Sequence, residues 1–522
     1  MTHDLRRDLV LLLAASVLAT IPVWIPTFPP MTDLPQHGAQ ITLLREVLHP
    51  GFPFASLFGI NWFTPYLFGY MLVYVLVPVI GIIAAIKTVI SLALIALPLS
   101  TALVMSETGT DRRWALLAIP AMYGFSYHWG FLNFLVAAPL GLVFIWLTLR
   151  QARRPTITGA ITLAAMIVLL FFCHALICVF FGFIAGCMLL ASGTSIPNAI
   201  VRPLPLAAVI PVALLWTLRT QSQQRFTVWP DDWDLHWITS TSTYYTEIAQ
   251  WATRDGWGWG RTAGIFPRLL GVLPGTVSTL FGLAIFALPF TAGQRLTSRP
   301  VRWIPFLVCL LMVLVGPPFL FGTDFIFQRF TVFLLPLFLI LLESRPTRPT
   351  PRWAWPVCGA LVAGWIGVVS MNAVHYEAEA AGLDQLIQRM EPGQRALGFA
   401  FERDSAGTIA PPFLHFGAWY SAVKGGVVDP NGAATMAAPV FYLPDKRPVA
   451  RPFSFEWVPG LFDWPLFHGE QYRYFIAKAP EDMGPWMFRH ASCNTRLLYH
   501  VNHWWLYEKE PLCTAVSATP PS

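Results

Sequence analysis

Residues 269–292 read LLGVLPGTVSTLFGLAIFALPFTA, a run without one charged side chain. As a helix rising 1.5 Å per residue it is roughly 36 Å long, enough to cross a hydrocarbon core of about 30 Å. The feature recurs in WIPFLVCLLMVLVGPPFLFGT at 303–323 and WAWPVCGALVAGWIGVVSMNAV at 353–374. These runs are apolar on every face rather than alternating, which excludes a β-barrel. Composition agrees: 55% of the 522 residues are hydrophobic and 12% charged, with a mean hydropathy of +0.55, whereas roughly a quarter of an average soluble chain is charged. The chain reads as an α-helical polytopic membrane protein, and soluble enzymes, fibres and disordered chains are excluded.

Working outward, further spans are expected at 9–25, 64–80, 86–105, 114–149, 157–172, 175–191, 204–218, 267–290, 301–319, 325–342 and 353–372, about eleven in all. The segment 114–149 exceeds one helix and is read as a half-helix, a turn around Tyr123–Gly130, and a full span. Arg6 and Arg7 precede the first apolar run, which is read as an uncut helix with a cytoplasmic N-terminus. Arg150, Arg153 and Arg154, then Arg295, Arg299 and Arg302, then Arg345, Arg348 and Arg352 cluster in alternate short loops, which assigns those loops to the cytoplasm. The loops 27–63 and 218–266 and the chain after residue 373 are then extracytoplasmic, and the Arg112–Arg113 pair is expected on that outer side too.

Two domains follow: a membrane domain over 1–372 and an extracytoplasmic α/β domain over 373–522, long enough for a core of its own. In the latter, 375–390 has helical periodicity, Arg395–Phe401 and Tyr472–Lys478 read as buried strands, and Arg496–Glu508 as a strand pair. The formal charge of +6 bears on orientation, and no tract suits DNA or RNA, so no nucleic-acid partner is expected. Five of the seven cysteines lie in apolar spans, no zinc pattern is present, and Cys493 and Cys513 are available for a disulfide if the tail faces an oxidising compartment.

Chemistry concentrates in few places. The first outer loop contains PPMTDLPQHGAQITLLREVL, where Asp33 opens an amphipathic stretch. It reads either as the N-cap of an interfacial helix or as a carboxylate that deprotonates an acceptor hydroxyl, with His37 one turn along. In the loop 218–266, VWPDDWDLHW is followed by Tyr244 and Tyr245; Trp233, His236 and Tyr244 serve either as interface anchors or as stacking surfaces for sugar. Asp231, Asp232 and Asp234 offer hard oxygen ligands for a divalent cation, without the glycine and distal glutamate of a calcium loop. Arg261, Arg268 and Arg329 fall near outer ends of spans, where a planar guanidinium suits phosphate; an Arg329–Asp324 pair is the alternative. His128 and His174 lie in apolar surroundings near the same face, where histidine also bridges helices.

This arrangement resembles the GT-C superfamily of membrane glycosyltransferases. The resemblance covers most of the chain and rests on Asp33 in DLPQH, the turn YHWGFLNF at 127–134, His174 between two apolar half-runs, and the tail motifs HFGAWYSAVKGG, YRYFIAKAP and WWLYEKE, which look like bacterial members of unassigned substrate. It implies a polyprenyl-phosphate-linked sugar donor, a lipid or glycan acceptor, contact with membrane lipids, an inverting reaction with Asp33 as base, and an address in a bacterial inner membrane. The family's second acidic motif has only Glu107 and Asp111 as candidates here. No nucleotide cofactor is expected, since neither a P-loop nor a dinucleotide fingerprint is present. The rivals are a non-catalytic scaffold of this fold and a lipid or glycan transporter, for which ionisable groups would line the middle of the spans.

Overall fold

The computed structural model describes residues 3–222, 259–317, 319–320, 323–344, 350–434, 438–443, 446, 448 and 454–510. Its residues gather into two compact units, each discontinuous in sequence. One comprises Met1–Ile25, Pro65–Gly69 and Lys87–Ala373, the other Pro26–Thr64, Tyr70–Ile86 and Val374–Ser522.

The first unit is helical. The apolar runs become helices because uninterrupted Leu, Ile, Val, Ala and Phe satisfy every backbone group within the segment. Arg6–Trp24, Ile82–Thr108, Leu132–Arg153, Ile196–Arg219 and Ala354–Ala380 are long and apolar enough to cross a membrane, and Arg261–Leu270 with Gly275–Thr291 forms a span bent by 80°. Helices Ile157–Cys173 and Ala175–Ala191, of 17 residues each, form a hairpin. Its open end is tied by Arg202, which donates to the Ala152 carbonyl and the Ser192 hydroxyl at 3.0 and 2.7 Å. His174 is its tip, extended at φ −169° between the two helices.

Three sets of ion pairs gather at one end of this unit. Glu107 meets Arg150 and Arg153 at 3.8 and 3.3 Å, Arg113 meets Asp111 and Asp8 at 2.6 and 4.0 Å, and buried Arg302 meets Glu343 and Thr110 at 2.7 and 3.1 Å. This corrects the expected placement of Arg112–Arg113, which lie at the same end as Arg150 and Arg153. The physical reason is length. Ile82–Thr108 has 27 residues, roughly 40 Å of helix, and already completes a crossing. The 3₁₀ turns Arg112–Ala118 and Pro120–Tyr123 with the short helix Phe125–His128 then carry the chain back before Leu132–Arg153 returns it. The Asp8–Arg113 contact also requires an even number of crossings between those residues. Arg6–Trp24 and Ile82–Thr108 supply two, and the expected span at 64–80 is the 14-residue helix Leu67–Ile80, about 21 Å and too short for a third.

The second unit is mixed. Its strands are β1 (Phe58–Ile60), β2 (Arg395–Ala400), β3 (Val427–Asp429), β4 (Val440–Tyr442), β5 (Tyr474–Lys478), β6 (Thr495–Val501) and β7 (Trp504–Lys509). Five form one sheet in the order β6-β7-β5-β2-β3. The β6–β7 and β7–β5 pairs are antiparallel, while β5–β2 and β2–β3 are parallel. The parallel step from β2 to β3 needs a crossover, which contains the helix Ala418–Lys424. Burial of every residue of β5 explains why its segment reads as a continuous apolar run rather than an alternation. Leu397, Phe399, Phe455, Phe462, Trp464, Tyr472 and Phe475 fill one core. β1 and β4 pair separately, over a core of Leu43, Leu44, Val427 and Tyr442. The segment Pro26–Thr64, grouped by sequence with the membrane domain, therefore packs with the C-terminal residues. Its helix Leu34–Val47 offers Leu43 and Leu44 to the same core as β3 and β4.

Among the described cysteines, Cys173, Cys178, Cys187, Cys309 and Cys358 are free thiols, as their apolar setting suggests. Cys493 is disulfide-bonded; Cys513 lies outside the described residues.

Candidate active site

Asp33 stands immediately before the helix Leu34–Val47, with Pro35 in the first turn. It occupies the N-cap position, yet its side chain accepts no capping hydrogen bond. Its carboxylate instead meets His415, Oδ1 to Nε2 at 3.2 Å. The other ring nitrogen of His415 lies against Glu456 Oε1. Burial alone would lower the His415 pKa; Glu456, then Asp33, reverse this and push it up to about 10. The group is an imidazolium between two carboxylates, with a net charge of −1 when both acids are ionised.

The sequence builds this cluster from three distant places. The helix Leu34–Val47 lies against Ala418–Lys424 so closely that a Cβ on Gly38 would sit 3.1 Å from the Ala422 methyl and 3.3 Å from the Trp419 ring, which is why glycine stands there. Thr42 donates to the Ala422 carbonyl at 2.8 Å. Gln36 donates to the Pro430 carbonyl at 2.7 Å and accepts from the Gly432 amide at 2.8 Å. At the far end both Glu46 oxygens accept from the Gly426 amide at 3.0 and 3.2 Å. The backbone turns there through positive φ at Gly425 and Gly426, a conformation that favours glycine. His415 sits in the turn before Ala418–Lys424, and Glu456 on the short helix Ser454–Trp457, whose Phe455 is locked into the core beside Phe399 and Phe467.

His37, expected beside Asp33, is buried and its Nδ1 contacts the Tyr70 hydroxyl at 2.7 Å. A second network lies nearby in the chain. Asp429, 2% exposed, meets Arg395 at 3.2 Å and accepts from the Tyr442 and Tyr472 hydroxyls at 3.1 and 2.9 Å. It fastens the start of β2 to the end of β3.

The remaining expected residues lie in the first unit and form a cationic, aromatic cluster. The Arg329 guanidinium rests 3.6 Å from the centre of the Phe131 ring and donates to the Asp324 carbonyl at 3.2 Å. Arg261 and Arg268 lie 3.7 and 5.2 Å from the centre of the Phe327 ring. Arg261 donates to Leu314 and Arg268 to the Arg261 carbonyl, each at 3.0 Å. His128 contacts Tyr127 edge-on and abuts Gly271, where a Cβ would collide with Tyr123 and His128. His174 is held edge-on by Tyr66 and Phe134 at 4.9 and 5.3 Å between ring centres.

Glu107 and Asp111 are tied into ion pairs with Arg150, Arg153 and Arg113, at the charged end of the first unit. Trp233, His236, Tyr244 and the carboxylates Asp231, Asp232 and Asp234 lie outside the described residues. Among the described residues no group of three or more His, Cys, Asp or Glu has metal-holding geometry. Sequence reasoning selected Asp33 and quoted the tail motif HFGAWYSAVKGG, which contains His415, without giving that histidine a role beside it. Glu456 went unmarked, although a lone carboxylate in the aromatic run FSFEW was a signal.

No known family profile and no curated protein matches the sequence. Solved structures do. ArnT from Cupriavidus metallidurans in the apo state superposes with a TM-score of 0.53 at 11% identity, covering 96% of this chain and 97% of that one. The same protein bound to undecaprenyl phosphate gives 0.52 over the same shares. At this identity the likeness is one of fold, and it runs through both units. The chain shares its fold with ArnT.

Proposed function

We propose that the chain is a glycosyltransferase that moves a sugar from a polyprenyl-phosphate donor to a lipid or glycan acceptor, with inversion, at the outer face of a bacterial inner membrane. The observation that carries this reading is Asp33: a carboxylate at a helix start that does not cap its helix and is instead held by a charged histidine. The fold shared with ArnT supports it, and the undecaprenyl phosphate bound to ArnT supports the donor class. Asp33 takes the proton of the acceptor hydroxyl as that oxygen bonds to the anomeric carbon. The bond from that carbon to the phosphate oxygen breaks, and the electron pair leaves with polyprenyl phosphate. Arg261, Arg268 and Arg329 supply positive charge for that phosphate, His128 and His174 border the same region, and Trp233, His236 and Tyr244 offer surfaces for the sugar. No step requires a metal, although Asp231, Asp232 and Asp234 retain the ligand chemistry for a divalent cation. The transporter reading is less favoured because the described ion pairs of the first unit gather at one end rather than midway along its spans.

The test is mass spectrometry of membrane lipids and surface glycans from cells lacking the protein, rescued with wild type or Asp33→Ala at matched expression. The expected outcome is one species short of a single sugar, restored by wild type alone. Full rescue by the variant sinks the role of Asp33 and favours the scaffold.

A further inference from the structure

We propose that His415 and Glu456 are positioning residues for Asp33: held on Glu456, the His415 ring fixes the carboxylate in the orientation from which it accepts a proton. This rests on the transferase reading and extends it to two residues that never touch substrate. Side-chain exposure rises along the series, from 4% at Glu456 to 12% at His415 and 17% at Asp33. Asp33 is therefore the most accessible member and Glu456 the buried anchor.

Both ring nitrogens lie against carboxylate oxygens, a setting that favours the protonated ring, the form that carries two N–H groups. Glu456 acts on the charge of His415 first and Asp33 second. Asp33 also has a competing resting place. At the N-cap position an aspartate ordinarily turns onto the free N–H groups of its own helix, and here it does not. The imidazolium is what draws it away. With that charge removed, Asp33 is free to swing back onto the helix and lose its catalytic orientation, without any loss of helix capping.

The arrangement predicts a pH signature. A histidine whose pKa is raised stays protonated below that value and loses its charge as pH rises through it. Wild type should hold its activity well above neutrality. Glu456→Gln keeps size and polarity but removes the anchoring charge, so the alkaline limb should move toward neutral pH.

Membranes from cells lacking the native gene and expressing the full chain are incubated from pH 6 to 9.5 with their own donor and acceptor pools, and the product is followed by mass spectrometry. Wild type, Asp33→Ala, Glu456→Gln, Glu456→Asp and His415→Gln are compared at equal membrane abundance. The expected result is at least a tenfold loss at pH 8 in Glu456→Gln, an alkaline limb displaced downward, and partial recovery in Glu456→Asp. An unchanged rate and profile in Glu456→Gln alongside an inactive Asp33→Ala overturns the positioning role and leaves the transferase reading standing. If Glu456→Gln fails to accumulate, His415→Gln decides, since wild-type rate and profile in that variant overturn it equally. Wild-type membranes that form no sugar-transfer product overturn both.

Discussion

The candidate residues of the two units are held in different surroundings. In the unit that holds Asp33, charge meets charge: His415 lies between Asp33 and Glu456, and Arg395 meets Asp429. In the helical unit, Arg261, Arg268 and Arg329 rest on phenyl rings and donate to backbone carbonyls. Ring faces and carbonyls hold a guanidinium in place without adding a negative charge. One cluster is built on pairs between charged side chains, the other on ring faces and backbone carbonyls.

The comparison breaks first, and hardest, at Asp33. Asp33→Asn keeps the side chain's shape and removes its basicity, so product formation should fall roughly 10²- to 10⁴-fold, read by single-turnover mass spectrometry. Retention of activity would reduce the negative cluster to architecture. Asp429→Ala is next and tests stability alone. It leaves Arg395, Tyr442 and Tyr472 around a missing carboxylate, a loss of about 3 kcal/mol, visible as a lower melting temperature of the purified protein. On the cationic side, Arg329→Ala should weaken binding of undecaprenyl phosphate about tenfold, the worth of one charge-assisted hydrogen bond, in native mass spectrometry of the detergent-solubilised chain. Unchanged binding would remove Arg329 from the phosphate site.

The smallest effect concerns Glu46. Burial pushes its carboxyl up to about 7, against the lowering influence of the Gly426 amide. Between its ordinary value near 4.5 and that point the folded chain holds a proton that the unfolded chain has released. Stability from this group therefore falls as pH rises across that window and levels off above it. Glu46→Gln should flatten that part of the melting-temperature profile, and an identical slope in the variant would mean that another group is responsible.

Much of the helical unit was legible because hydropathy is local. The break at His174 between two 17-residue helices and the irregular stretch ahead of Leu132 stand where the residues put them. In the α/β unit, the segments of β2, β5, β6 and β7 could be marked from runs of Phe, Ile, Tyr and Trp. Reading sides of the membrane was harder. The positive residues Arg112 and Arg113 fell on the wrong end because an apolar stretch of 3₁₀ turns crosses without the periodicity of a helix, and Leu67–Ile80 is apolar without being long enough.

The site divides the same way. Asp33 stood out alone, since a carboxylate in an apolar loop is conspicuous in one dimension. Its partners did not, because an ion pair between residues 33, 415 and 456 depends on how the helix Leu34–Val47 seats on Ala418–Lys424 and how Phe455 anchors Glu456. Sequence by itself determined the class of protein, the positions of most helices and strands, and the one acid worth testing, all properties carried by neighbouring residues. Tertiary structure alone decided that Asp33 faces an imidazolium rather than its own helix, because that choice is set by packing between segments hundreds of residues apart.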